Sequence, residues 1–341
     1  MICNYCEWRC DLGNGKPGIC QMYMEKDNRI VEKYPNYYTT YHATHIESLP
    51  FFHAYPGSRT LQIGSRGCNF DCHYCSNAYV AKSLPGEVYT FNMTPQRIVD
   101  VAKQTGCHNI VFSVNEPTVS FPSFLEIAEE ARISEFPIGC MTNGYMTQES
   151  TDILSSVCEF INISLKGFSQ EFYRKYTGIP DFKPILRNIE KLALTNHIEI
   201  TTPIIQDIND DKIIEIAKFI ASIDRNIPWH VFRLLPEYKM EDKDYPSIQE
   251  INKKLEDARG ILPYIYFSNF IGSVWVSTHC PSCGQKIIER FNLGGCGGKM
   301  VKYSLLEDKK CPYCGAQIEI HGEYTQWNSR DESYGIRNPG C

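Results

Sequence analysis

Three cysteines within one short stretch are the residues of this sequence best suited to chemistry. They lie in Arg66-Gly67-Cys68-Asn69-Phe70-Asp71-Cys72-His73-Tyr74-Cys75, spaced C-x-x-x-C-x-x-C after the apolar run Leu61-Gln62-Ile63-Gly64. Three thiolates on a tight loop suit three irons of a 4Fe–4S cube and leave the fourth iron open, much as a catalytic zinc keeps one open position. Electron transfer does not need an open iron, whereas chemistry on a bound ligand does. Sulfur ligands favour iron–sulfur or zinc over hard, oxygen-seeking cations. The spacing by itself also allows a structural zinc knuckle or three unrelated buried thiols.

Two further cysteine sets flank this loop. Cys3, Cys6 and Cys10 are followed by Gly13, Gly15, Pro17 and Gly18, which let the chain fold back and bring in Cys20. Four thiolates suit a closed zinc or iron site, or a second iron–sulfur cluster, and the spacing does not choose among them. A small cap of this kind needs its metal to fold. Near the other end, Cys280-Pro281-Ser282-Cys283-Gly284 and Cys311-Pro312-Tyr313-Cys314-Gly315 are two matched knuckles. Together they read as a zinc ribbon, structural or partner-binding. His279 and Cys296 lie nearby and are not expected to be ligands, and the terminal Cys341 is read as a free thiol.

Twelve of the sixteen cysteines gather in three clusters, with Cys107, Cys140, Cys158 and Cys341 apart, which points to metal sites in a reducing cytoplasm, in keeping with an anaerobe, rather than to a disulfide scaffold. The net charge of −6 gives no reason to expect nucleic acid as a partner. No apolar run approaches the ~18 residues of a membrane span, and Met1–Cys6 lacks the pattern of a signal peptide.

The elements that must position these residues follow from periodicity. Strands are expected at Thr60–Ile63, Asn109–Ser113, Ile138–Met141, Phe160–Leu165, Ile198–Thr202 and Trp229–Leu234. The helices between them start at Thr94-Pro95 and cover Phe121–Ile133, Gln148–Ser156, Pro184–Leu194 and Asp211–Ile223. A last helix at Ser247–Ala258 precedes a strand at Tyr264–Ser268. This alternation predicts an α/β fold, a partial (β/α)6 TIM-type barrel with parallel strands. It is flanked by an N-terminal four-cysteine metal cap (1–50) and the C-terminal zinc ribbon with its tail (278–341), leaving 51–277 for the barrel. Little regular structure is expected in the cap. Ligand sites form at the C-terminal ends of such strands. Polar residues sit there: Asn115 and Glu116, then Thr142 and Asn143, then Ser164 and Lys166, then His230 and Arg233. A carboxylate such as Glu116 suits an ammonium group, and an ammonium such as that of Lys166 suits a carboxylate.

The cysteine loop, with Tyr74 before its last cysteine, resembles the signature of radical S-adenosylmethionine (SAM) enzymes. Phe52–Ser58, Asn115-Glu116-Pro117-Thr118, Thr142-Asn143-Gly144-Tyr145 and Trp229–Arg233 extend the likeness to enzymes related to pyruvate formate-lyase activase. The subgroup most similar is the one associated with AMMECR and Memo proteins (AmmeMemoRadiSam). The resemblance implies that Cys68, Cys72 and Cys75 hold a 4Fe–4S cluster and that SAM is the second cofactor. Asn115 and Glu116 would take the SAM amino group. Thr142, Asn143, Ser164 and Lys166 would contact its carboxylate or ribose. Tyr74 would touch the adenine, and His230 and Arg233 would lie near the nucleoside. Met141 and Ser164 stand where activases carry aspartates that help hold a cation, so no cation is expected. The implied activity is hydrogen abstraction from a protein or peptide, fed by an electron donor. Two alternatives stand beside it: a cobalamin-assisted radical C-methyltransferase, and a metal-binding scaffold that only transfers electrons.

Overall fold

A computed structural model describes residues 1–83, 86–292 and 294–326. Its first strands are β1 (Tyr23–Lys26), β2 (Arg29–Glu32), β3 (Tyr37–Tyr38) and β4 (Thr40–His45). Then come β5 (Arg59–Gly64), α1 (Ala78–Ala81), β6 (Phe91–Asn92), α2 (Pro95–Gln104), β7 (Asn109–Phe112) and α3 (Phe121–Ile133). The alternation continues with β8 (Ile138–Thr142), α4 (Gln148–Val157), β9 (Phe160–Ser164), α5 (Gln170–Tyr176), α6 (Lys183–Ala193) and β10 (His197–Ile204). It ends with α7 (Ile213–Ile223), β11 (Trp229–Arg233), α8 (Ile248–Arg259) and β12 (Ile265–Ser268). The C-terminal module adds β13 (Thr278–His279), β14 (Lys286–Phe291) and β15 (Lys299–Tyr303).

The main sheet runs β12-β11-β10-β9-β8-β7-β5-β4. Its neighbours pair in parallel except β4 and β5, which are antiparallel. β4 and β12 are its two edges, so the barrel is open. The six expected barrel strands form, and the strand expected at Tyr264–Ser268 forms as β12 and pairs in parallel with β11, making seven parallel strands rather than six. The first fifty residues hold more structure than expected: the hairpin β1–β2, and β4, which extends the main sheet. Helix α5 falls where none was foreseen.

Side-chain alternation divides each strand between two environments. Ile161, Ile163, Ile198, Ile200, Trp229 and Val231 enter the core shared with the helices. The residues between them face the barrel interior and bond to one another, as Thr201 Oγ1 does to Asn162 Oδ1 at 2.8 Å. Helix α3 buries Phe121, Phe124, Ile127, Ala128 and Ala131, spaced to form one stripe. Thr94 caps α2, its hydroxyl accepting the Arg97 N–H at 3.2 Å, with Pro95 in the first turn.

The N-terminal ends of the strands are stoppered. The segment leading into β5 places Phe51 and Ala54 against Val111 and Phe160, and Asn162 Nδ2 donates to Pro50 O at 2.7 Å. The C-terminal module docks beneath. Arg290 donates to Phe52 O at 2.7 Å, lies over the Phe52 ring, and shares its buried site with Glu47. Among the described residues, no helix is long and apolar enough to cross a membrane. Cys341 and the tail around Tyr334–Pro339 lie outside the described residues.

Candidate active site

The cysteine loop leaves β5 at Gly64, where the backbone of the next strand is close: a Cβ there would lie 2.5 Å from Ser113 O. Gly67 has a φ of +86°, a conformation suited to glycine, and a Cβ would meet Met22 at 2.8 Å. Asn115 holds this turn. Its Oδ1 accepts the Ser65 N–H at 2.9 Å, and its Nδ2 lies 3.2 Å from Arg66 O and 3.1 Å from Gly67 O. Asp71 N and His73 N donate to Thr177 O (2.8 Å) and Tyr176 O (2.9 Å), tying the far side of the loop to the end of α5. Lys239, from the segment after β11, reaches the Asp71 carboxylate at 2.6 Å.

Cys72 is buried, and Cys68 and Cys75 are partly so. Burial pushes the Cys68 thiol up to about 12, opposed by the charge of Lys82. Burial likewise pushes Cys72 up to about 11, opposed by Lys166 and Lys82. Cys75 is also raised by burial, against a backbone hydrogen bond from Asn77 and the same two lysines. Three desolvated thiols facing two cations are poised to become thiolates once metal binds. Among the described residues, only the C-terminal quartet brings three or more ligand atoms within 4.8 Å of one another. The three loop sulfurs are therefore not drawn together as one zinc ion would require.

Glu116 sits where β7 meets β8, fully within the protein. Its Oε1 accepts from Thr118 Oγ1 (2.9 Å) and Thr118 N (3.3 Å), and its Oε2 from Asn143 N (2.7 Å). Thr142 Oγ1 lies 2.9 and 3.1 Å from the two oxygens. Burial raises the Glu116 pKa, and these hydrogen bonds oppose the rise. The preceding Val114 has a φ of 74°, a strained conformation for a β-branched residue. Asn143 extends the network, its Nδ2 donating to Asn69 Oδ1 at 2.7 Å and lying 3.9 Å from Cys68 Sγ.

The structure thus gathers Cys68, Cys72, Cys75, Asn115, Glu116, Thr142, Asn143 and Lys166 around one loop at the C-terminal ends of the strands. Tyr74 is buried beside the Phe172 ring, 6.2 Å between centroids. Ser164 and Arg233 end β9 and β11 at the same face, with Arg233 stacked on Tyr245 at 4.7 Å. His230 lies deeper, bound to Glu199 and packed on Phe52 and Tyr266. The sequence reading missed Asn69, which joins Asn143 to the loop, and Lys82, which faces the thiols. A polar residue between two metal-ligand cysteines was the available signal for Asn69.

The C-terminal four are arranged for one tetrahedral metal. Cys280 and Cys314 sulfurs are 3.6 Å apart, and those of Cys283 and Cys311 3.7 Å. A zinc ion with Zn–S bonds of ~2.3 Å spaces its sulfurs by about 3.8 Å.

Comparison with known proteins places this geometry. The family model described as the radical SAM superfamily matches residues 63–220. The uncharacterized protein MJ0808 of Methanocaldococcus jannaschii is 30% identical over 93% of this chain and 95% of its own length. The chain belongs to the radical SAM superfamily. It is therefore an enzyme of a class that uses a 4Fe–4S cluster and SAM. More distant relatives are "Probable GTP 3',8-cyclase" of Thermococcus kodakarensis and "Putative glycyl-radical enzyme activating enzyme MJ1632" of M. jannaschii. The first is 24% identical, covering 55% of this chain and 62% of the relative. The second is 27% identical, covering 59% and 77%. The segment matched by the radical SAM model contains the three-cysteine loop, Glu116, Asn143 and Lys166, whereas His230, Arg233 and both flanking cysteine sets lie outside it.

Proposed function

We propose that this enzyme abstracts hydrogen from a protein or peptide, installing a radical or modifying the partner. The observation that carries the reading is the loop of three wide-set thiols at the mouth of an open parallel sheet, braced by Asn115 and Asn143. Cys68, Cys72 and Cys75 would hold the cluster, which would supply the electron for reductive cleavage of SAM. The chain's own residues orient and shelter the reactants. Glu116 accepts the SAM ammonium, with Thr142 and Asn143 fixing the carboxylate's orientation. Lys166, already facing Cys72 and Cys75, pairs with the SAM carboxylate. Tyr74 packs on the adenine. The unpaired edges β4 and β12 leave the mouth open to a large substrate, and the relative named as a glycyl-radical activating enzyme supports a protein partner. Within the superfamily we place the chain with the activase relatives, nearest the AMMECR- and Memo-associated subgroup, working in a reducing cytoplasm.

The test is anaerobic reconstitution with SAM and a strong reductant, followed by mass spectrometry of the nucleosides. Formation of 5′-deoxyadenosine, lost in Cys72→Ala, is the expected result. S-Adenosylhomocysteine together with a cobalamin spectrum would instead identify a C-methylase. A protein that holds its cluster and binds no SAM overturns the reading and leaves an electron-transfer scaffold.

A further inference from the structure

Residues 1–22 fold against the catalytic loop. Trp8 Nε1 donates to Asn69 O at 2.8 Å. The Asn69 side-chain amide faces the Cys6 sulfur and lies beside Cys68, Sγ to Oδ1 3.9 Å. One side chain therefore separates the N-terminal thiols from the catalytic ones. Tyr23 anchors the other side of the module, donating to Thr118 O at 2.8 Å and accepting the Phe121 N–H at 2.9 Å.

Cys3, Cys6, Cys10 and Cys20 line one narrow pocket, with Tyr5, Leu12 and Val119 on its apolar walls. Each sulfur meets a backbone N–H: that of Tyr5 at Cys3, Trp8 at Cys6, Met22 at Cys20, and Ile19 at Cys10, the last at 3.5 Å. These four sulfurs do not close to the 4.8 Å grouping that the C-terminal quartet reaches, whereas one zinc requires a spacing of about 3.8 Å. A wider set suits a cube whose four irons each take one thiolate.

We propose that Cys3, Cys6, Cys10 and Cys20 hold a second iron–sulfur cluster that passes electrons to the catalytic loop. Four thiolates leave no iron open, so ligand chemistry is not its task, and the apolar walls keep water from it. A low-potential iron–sulfur or flavin protein gives up one electron to this cluster and is oxidised by one electron. The same electron crosses the Asn69 contact to the cluster at Cys68, Cys72 and Cys75, with no atom or proton transferred. Only the destination rests on the radical SAM reading of that loop.

The test uses the full chain purified without oxygen. The triple variant Cys68→Ala/Cys72→Ala/Cys75→Ala leaves the N-terminal site untouched. It should keep about four irons and four sulfides of the wild type's roughly eight of each, and show a reduced-cluster signal in electron paramagnetic resonance. Adding Cys6→Ser should remove the remaining iron. A triple variant with zinc in place of that iron, or with neither metal beyond the C-terminal zinc, overturns the proposal. In the dithionite-reduced wild type the two cluster signals should broaden each other. Two independent signals overturn the relay. Failure of the radical SAM reading would show separately, as a fully iron-loaded wild type that binds no SAM.

Discussion

His230 Nε2 lies 2.5 Å from Glu199 Oε2, and neither side chain is exposed. Glu199 also accepts the backbone N–H groups of Phe52 (2.9 Å), His53 (2.8 Å) and Ala54 (3.2 Å), and faces His197 Nε2 at 3.1 Å. One carboxylate thus ties β10 and β11 to the segment that stops the lower end of the strands. Burial alone would push its pKa up, but the hydrogen bonds and charges of His197 and His230 outweigh it and hold the pKa well below the ordinary carboxylate range.

Glu199→Gln should therefore lose about 3–5 kcal/mol of stability at pH 7, the cost of breaking a buried pair. The folded pKa lies below the unfolded value of ~4.3, so the charged form contributes its full stability above that pH and loses it as pH falls toward the folded value. The gap between wild type and variant should narrow in acid. Urea unfolding at neutral and acid pH measures it, and a gap independent of pH would refute the assignment.

Thr142→Val removes the hydroxyl shared by both Glu116 oxygens and should cost about 1–3 kcal/mol of stability. Because burial raises the Glu116 pKa, SAM binding that needs its carboxylate should weaken as pH falls through a midpoint above ~4.3. Urea unfolding of Thr142→Val checks the first statement and equilibrium SAM binding across pH the second, with Glu116→Ala expected to keep its iron and lose SAM.

Single changes of Cys68, Cys72 or Cys75 to Ala should each abolish SAM cleavage and remove about one cluster of iron. Iron analysis and the visible spectrum read this directly. A variant with full turnover would remove the cluster from this loop.

Cys311→Ala, or chelation of the C-terminal metal, should unfold residues 278–326, because such a metal supplies about 10–16 kcal/mol in zinc-finger peptides. Arg290 would then leave Phe52 and Glu47. Limited proteolysis should show new cuts in the ribbon and also around residues 46–56. Cleavage confined to the ribbon would show that the barrel end closes without it.

The barrel strands and the helices expected between them were legible to within two residues, because each is a dense apolar run bounded by caps or turns. Phe121–Ile133 is an example: Pro122 lies in its first turn and its apolar stripe stops at Ile133. The C-terminal cysteine quartet was legible from spacing alone. β4 was not, because Thr40-Tyr41-His42-Ala43-Thr44-His45 has no apolar alternation and becomes a strand only by pairing with β5. Nor was the Glu199 network, whose backbone partners lie 145 to 147 residues away. A charged residue between Ile198 and Ile200 was the visible trace of it. Asn115 reads from sequence as a ligand contact, and its amide's hydrogen bonds to the Ser65–Gly67 turn are visible only in three dimensions.

The stopper formed by Phe51, Ala54 and Arg290 makes the space above it a blind alley. Anything admitted at the C-terminal ends of the strands must leave by the door through which it came.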